Sequence, residues 1–281
     1  MERKINKQVR EYRTQDGAEV DLVRVLSRRT SEEYDPILLL DSFDSTDPAQ
    51  YKAGFPMHPH RGIETITYVY HGQITHRDSL GNEDTIADGE IQWMTAGSGI
   101  LHEERLPASE RLLGVQLWLN MPAKDKMADP AYNSIKNDMI EEITLDGGKL
   151  RLLAGEFENR KGFTSKYLPL NFYDVHLAPE ASVLINTAID RSVTLFTLSG
   201  DANIAGEPVA EKTAVKLTPG DHVEIKAADT NMQVLFISSL KLGETIAWGG
   251  PIVMNTEEEL EAAFEDLKNG TFLQKGISYK H

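Results

Sequence analysis

The sequence predicts an all-β protein, with two small β-barrels in tandem and one C-terminal helix. Short runs of β-branched, aromatic and leucine residues, broken by Gly, Asp, Asn and Pro, fill most of the chain. Helical periodicity is nearly confined to the C-terminus, and one strand-and-turn layout occurs twice. With 281 residues, 40% hydrophobic and 26% charged, there is apolar material for packed cores and no compositional case for disorder.

Taken in order, the strand candidates are Thr65 to Tyr70, Leu113 to Leu119, Leu150 to Leu153, Ser192 to Leu198 and Met232 to Ile237. The first runs into a turn at Tyr70-His71-Gly72, and a second turn at Asp88-Gly89-Glu90 leads into Ile91-Gln92-Trp93. The layout recurs as Leu198-Ser199-Gly200 and Pro219-Gly220-Asp221 before His222 to Ile225, with the turn glycines 17 and 20 residues apart in the two copies. The stretch from Met121 to Ser134, carrying Pro122, Pro130 and mixed charge, is the expected connector. It divides the chain into an N-terminal barrel, 1–134, and a C-terminal one, 135–281, that ends in the helix. In that helix Thr256 and Glu259 form a capping box, Leu260, Phe264 and Leu267 fall on one stripe, and Gly270 ends the last turn. The expected role is an amphipathic cover packed on a sheet.

Charge and composition narrow the function. Lys and Arg number 29 against 44 Asp and Glu, a formal net charge of −15 that repels phosphate backbones and anionic lipid. Direct nucleic-acid binding and membrane binding are therefore not expected. Cysteine is absent, which removes disulfides, thiolate metal sites and cysteine nucleophiles. No apolar run approaches the roughly 20 residues of a membrane helix, and the basic segment Met1 to Thr14 has no apolar stretch after it. The expected location is cytoplasmic. The G-x-G-x-x-G, G-x-x-x-x-G-K and G-x-S-x-G patterns do not occur.

Histidines carry the strongest signal. Five of the eight, His58, His60, His71, His76 and His102, fall within residues 58–102, where uniform scatter would place about 1.3. His58-Pro59-His60 sets two imidazoles at i and i+2, on one face of an extended chain, and His102-Glu103-Glu104 repeats the spacing with an imidazole and a carboxylate. Two such pairs on neighbouring strands can surround one ion, and three imidazoles with one carboxylate suit a divalent first-row metal. Glu104 shares the face of His102 and Glu103 points away, while Glu64 shares parity with His58 and His60 and is the rival carboxylate. His71 is expected exposed in its turn, and His76 is expected to be an ordinary strand histidine rather than a support for a ligand. At the corresponding offsets the second copy has Asn186, Ala188, Gln233 and Leu235, so the ligand set is confined to the first barrel.

The run Phe55-Pro56-Met57-His58-Pro59-His60-Arg61-Gly62-Ile63-Glu64-Thr65 resembles the pirin family of the cupin superfamily. So do Asp78-Ser79-Leu80-Gly81-Asn82, the segment from Gln92 to Glu104, and Gly250-Pro251-Ile252-Val253-Met254-Asn255-Thr256, in the same order as in pirins. Asp35 to Phe43 and Leu117-Trp118-Leu119-Asn120 agree as well, so the likeness spans nearly the whole chain. It implies a bicupin, two face-to-face cupin barrels (double-stranded β-helices) with a C-terminal helix and one metal in the N-terminal barrel. The family's ligand pattern falls on His58, His60, His102 and Glu104 and leaves Glu64 outside. Glu103 departs from the small residue common at its position.

The resemblance further implies iron(II), Fe2+, with Zn, Ni, Mn, Co and Cu as other divalent occupants. It also implies a quercetinase, a flavonol 2,3-dioxygenase that opens the ring with O2 and releases CO. In that reaction Glu104 is the expected catalytic base, and a flavonol-like molecule and O2 are the partners. The family also includes non-enzymatic, redox-responsive regulators, and a closed zinc site is a third possibility. Phe55, Met57, Trp93 and Met94 lie close to the ligands in sequence, each expected singly in the core before the substrate wall. Arg61 is expected to pair with an acidic residue rather than hold an anionic substrate. A monomer is expected, since a bicupin pairs its barrels within one chain.

Overall fold

A computed structural model describes residues 1–10 and 12–274. The chain begins with β1 (Ile5–Arg10), β2 (Tyr12–Asp16) and β3 (Val20–Leu26). There follow β4 (Ile37–Ser45), β5 (Phe55–His60), β6 (Ile63–His71), β7 (Ile74–Asp78), β8 (Glu83–Ile86), β9 (Glu90–Thr95), β10 (Ile100–Arg105), β11 (Leu112–Asn120) and β12 (Ala131–Ile135). These make a seven-stranded sheet in the order β12-β9-β6-β11-β4-β3-β2 and a four-stranded sheet in the order β5-β10-β7-β8.

Residues 137–241 repeat the plan. A seven-stranded sheet contains β1 and the strands Thr213–Leu217, Arg191–Ser199, Met232–Leu240, Leu170–Leu177, Gly148–Ala154 and Glu141–Leu145. A four-stranded sheet joins Ser182–Asn186, His222–Ala227, Ala202–Ile204 and Glu207–Val209. Every strand expected from the sequence lies within one of these elements. A hairpin of Ala247–Gly249 and Ile252–Met254 and the helix α1 (Glu257–Asn269) complete the described chain. Among the described residues no helix is long and apolar enough to cross a membrane.

The division differs from a single cut between 134 and 135. Two compact units form, one of Met1–Tyr12, Val25–Pro36 and Asn137–Lys241, the other of Arg13–Arg24, Ile37–Lys136 and Leu242–His281. The expected connector is part of the site-bearing unit, because its Ala131–Ile135 segment extends the large sheet as the partner of β9. The helix also belongs there. Leu260 and Ala263 pack with Ala247, Ile252, Met254 and Phe272 in one apolar cluster, and Leu267 lies against it. The capping box is present: the Glu259 backbone N–H donates to Thr256 Oγ1, and Glu259 Oε2 accepts from the Thr256 backbone N–H. Gly270 ends the helix in the left-handed conformation at φ 69°. The stripe is narrower than expected, since Phe264 is 42% exposed and Ala263 takes the inward position.

The second turn of the repeat is displaced by one strand. Gly89 precedes β9, an inner strand of the large sheet, whereas Gly220 precedes His222–Ala227, whose place in the small sheet corresponds to that of β10. Around that strand the second unit is filled with apolar side chains, among them Ile185, Val223 and Ile225. His222 stands instead beside Asp221, 33% exposed.

Candidate metal centre

β5 is an edge strand, which is why Pro56 and Pro59 cost it no ladder bonds. Alternation along β5 puts His58 and His60 on one side, and antiparallel pairing with β10 sets His102 directly opposite His58. The three rings meet at centroid separations of 4.8, 4.3 and 5.0 Å for the 58–60, 58–102 and 60–102 pairs. One nitrogen from each lies within 4.8 Å of the other two, the one such grouping of ligand-type side chains among the described residues.

The hydrogen bonds around these rings show which nitrogens face inward. His58 Nδ1 lies 2.8 Å from the Pro56 carbonyl oxygen and His60 Nδ1 lies 3.0 Å from that of Pro251. A carbonyl only accepts, so each Nδ1 carries the hydrogen and each Nε2 keeps its lone pair. Those two Nε2 atoms stand 3.0 Å apart, acceptor against acceptor. His102 Nε2 is buried with no hydrogen-bond partner at all. Three lone pairs turned on one another are unfavourable alone and become ligands once a cation lies between them, so the residues fit a divalent metal. Burial, reinforced by His58, pushes the His60 pKa down to about 3, and burial lowers that of His102 well below its ordinary value. Both imidazoles are therefore neutral at physiological pH, as a ligand must be. His58 is partly exposed and marks the open side of the cluster.

The carboxylates stand apart from this trio. Glu104 is 3% exposed, and its oxygens accept hydrogen bonds from Gln92 Nε2 and, at 3.0 Å, from Gln116 Nε2. Glu64 accepts from Thr95 Oγ1 at 2.7 Å, also outside the trio. Its parity with His58 and His60 is broken at Gly62, whose φ of 78° turns the chain between β5 and β6. Glu103 points away and pairs with Arg105 at 2.5 Å.

Arg61 pairs with an acidic residue, as expected. Its guanidinium donates to Asp266 Oδ2 at 2.8 Å, to the Ser98 carbonyl at 2.7 Å and to the Phe272 carbonyl at 2.8 Å. Phe55, Trp93 and Met94 are buried in the core, whereas Met57 is 46% exposed. The side chain of His71 is 44% exposed. His76 corrects the expectation of an ordinary strand histidine: it is fully buried, with Nδ1 3.3 Å from His102 Nδ1.

Sequence reasoning also missed an aromatic wall. Trp118 stands edge-on to His60 at 5.0 Å and lies 5.9 Å from Trp248. Both join an apolar cluster with Leu39, Leu80, Met94 and Tyr132. The indole N–H of Trp118 is buried without an acceptor. The only sequence signal was Trp118 itself, a bulky residue on a strand whose inward face is otherwise polar at Gln116 and Asn120.

The chain matches the Pirin family model over residues 19–119 and the Pirin C-terminal cupin domain over residues 172–273. A pirin-like protein of Caulobacter vibrioides is 37% identical over 275 residues, covering 96% of this chain and 99% of that one. A crystal structure of quercetin 2,3-dioxygenase from Acinetobacter baumannii superimposes with a TM-score of 0.89 at 31% identity, covering 97% and 99% of the two chains. The bacterial pirin YhhW of Escherichia coli, crystallised in complex with nickel(II), shares the fold at a TM-score of 0.66 and 22% identity over 84% of this chain and 98% of its own. This chain belongs to the pirin family.

Proposed function

We propose that the chain is a metal-dependent dioxygenase of flavonol-like substrates, with His58, His60, His102 and Glu104 holding one divalent metal, iron(II) in first place. The observation that carries this is the set of three imidazoles, each with one ring nitrogen converging on the other two, beside an aromatic wall. A bound metal would supply positive charge that acidifies a flavonol hydroxyl and a place where O2 meets the electron-rich ring.

The chain's own residues do the rest. Trp118 and Trp248 offer a flat apolar face for a planar substrate, and the free indole N–H of Trp118 offers it a donor. Glu104 takes the hydroxyl proton. Its carboxylate has amide donors in Gln92 and Gln116, so it keeps two hydrogen bonds when turned away from the ligand position. The reaction opens the ring with O2 and releases CO.

The test is aerobic incubation of the iron-loaded protein with quercetin, following loss of flavonol absorbance and release of CO. Glu104→Gln is expected to keep much of the metal and to lose turnover by about 10²–10⁴-fold, the range of a missing general base. Turnover at the wild-type rate in that variant removes Glu104 from the chemistry. A redox-active metal without any wild-type turnover supports a regulator instead, and stoichiometric zinc that no reagent reaches supports a structural site.

A further inference from the structure

His58 and His60 each hand their outer N–H to a backbone carbonyl, but His102 has none within reach. Its Nδ1 faces His76 Nδ1 at 3.3 Å, and on the far side of that ring His76 Nε2 lies 3.0 Å from Asp78 Oδ2. All three side chains are buried, at 0%, 0% and 3% exposure for His102, His76 and Asp78. Pairing of β10 with β7 builds the row, since Asp78 is the register partner of His102, and His76 that of Glu104.

Asp78 is itself anchored by the turn that follows it. Its Oδ1 accepts from the backbone N–H of Leu80 at 2.9 Å and of Asn82 at 3.1 Å, and its Oδ2 accepts from Asn82 Nδ2 at 2.9 Å. The His76 ring is stacked on Tyr132 at 4.2 Å and 12°, which fixes its plane. Burial favours a neutral Asp78, yet the hydrogen bonds from His76 and Asn82 outweigh it and hold the carboxyl below its usual range.

The direction of each hydrogen bond follows from chemistry. A carboxylate only accepts, so His76 Nε2 carries hydrogen and His76 Nδ1, in the neutral ring, carries a lone pair. That lone pair accepts from His102 Nδ1–H. His102 Nε2 is then left as a lone pair, and it is the atom with no partner in the protein.

We propose that Asp78 and His76 form a hydrogen-bonded relay that locks His102 in its Nδ1–H tautomer and aims its Nε2 at the metal. Both are positioning residues, and the Asp78-Ser79-Leu80-Gly81-Asn82 turn exists to hold the relay's end. The proposal rests on the metal reading given above, but its first readout does not. In metal-free full-length protein labelled with 15N-histidine, long-range proton–nitrogen spectra report the His102 tautomer directly.

Wild type is expected to show Nδ1–H only, and His76→Phe, which keeps a ring against Tyr132, a mixture of tautomers. Nickel(II) affinity, measured by chelator competition, is expected to fall about 10- to 100-fold in His76→Phe. His76→Gln, whose amide can accept from His102 and donate to Asp78, is expected to restore it to within roughly threefold. A folded His76→Phe with a single Nδ1–H tautomer and wild-type nickel affinity overturns the relay. Should His76→Phe fail to fold, Asp78→Ala, which removes the acceptor of the His76 Nε2–H, carries the test: an unchanged tautomer and affinity there overturns it equally. Wild type that binds no nickel(II) or iron(II) would sink the metal reading, while the tautomer spectra would still decide the relay.

Discussion

Metal-free protein should lose stability steeply on mild acidification, through the buried imidazoles of His60 and His102. His60 has its pKa pushed down to about 3 by burial and by His58, whereas an unfolded chain leaves it near 6.5. Between those values the unfolded state binds a proton that the folded state does not, so unfolding free energy rises with pH across that window and falls as pH drops. The penalty is absent well above pH 6.5 and grows by up to about 1.4 kcal/mol for each pH unit below it. At pH 5.0 His60 therefore costs about 2 kcal/mol, and His102, whose pKa burial also lowers, adds to the loss in the same direction. That is a large share of a typical folding free energy of roughly 5–15 kcal/mol. The measurement is urea unfolding of chelator-treated protein at pH 7.5 and 5.0, for wild type and for His60→Gln. The variant removes one of the two titrations, so its loss between the two pH values should be smaller than that of wild type by about 2 kcal/mol. Equal losses in the two proteins would show that His60 accepts its proton freely in the folded state, and the burial argument would fail.

Two substitutions beside the site test how its strand is held. Gly62→Ala places a Cβ 2.0 Å from the Val253 carbonyl oxygen at a φ of 78°. Strain and overpacking should together lower stability by about 2–5 kcal/mol by calorimetry, and nickel(II) affinity should fall with it because His60 lies two residues away. Arg61→Ala leaves the Ser98 and Phe272 carbonyls without their donor and Asp266 without its partner. A cost of about 3 kcal/mol is expected, the low end for a broken buried pair because Asp266 is 34% exposed. Hydrogen exchange should quicken in α1 before it does in the sheets, and unchanged exchange in α1 would show that Arg61 does not tether it.

The legible part of this protein is what depends on neighbours in sequence. Strand alternation alone puts His58 beside His60 and sets His102 and Glu104 on one face, so the trio of imidazoles could be read from spacing. The capping box at Thr256 and Glu259 and the stop at Gly270 are likewise local, since a helix end is satisfied by residues three or four positions away. Parity misleads where a turn intervenes, as at Glu64, because one glycine at positive φ resets the side on which later residues emerge.

What no local pattern could supply is which strands pair and in what register. Gln92 and Gln116 reach Glu104 from β9 and β11, and Trp118 meets His60 from β11 across a separation of more than 50 residues. His76 looked like an ordinary strand histidine because its meaning lies in facing His102 and Asp78, a fact of the β7–β10 pairing. The helix joins the site-bearing unit for the same kind of reason, since its apolar face packs on a hairpin of that unit and Arg61 reaches Asp266 over 205 residues. By itself the sequence determined the strands, the caps and the imidazoles able to bind an ion, because these follow from backbone periodicity and side-chain chemistry. Only the tertiary structure decided which nitrogen of each imidazole carries hydrogen, because that depends on acceptors brought in by distant strands.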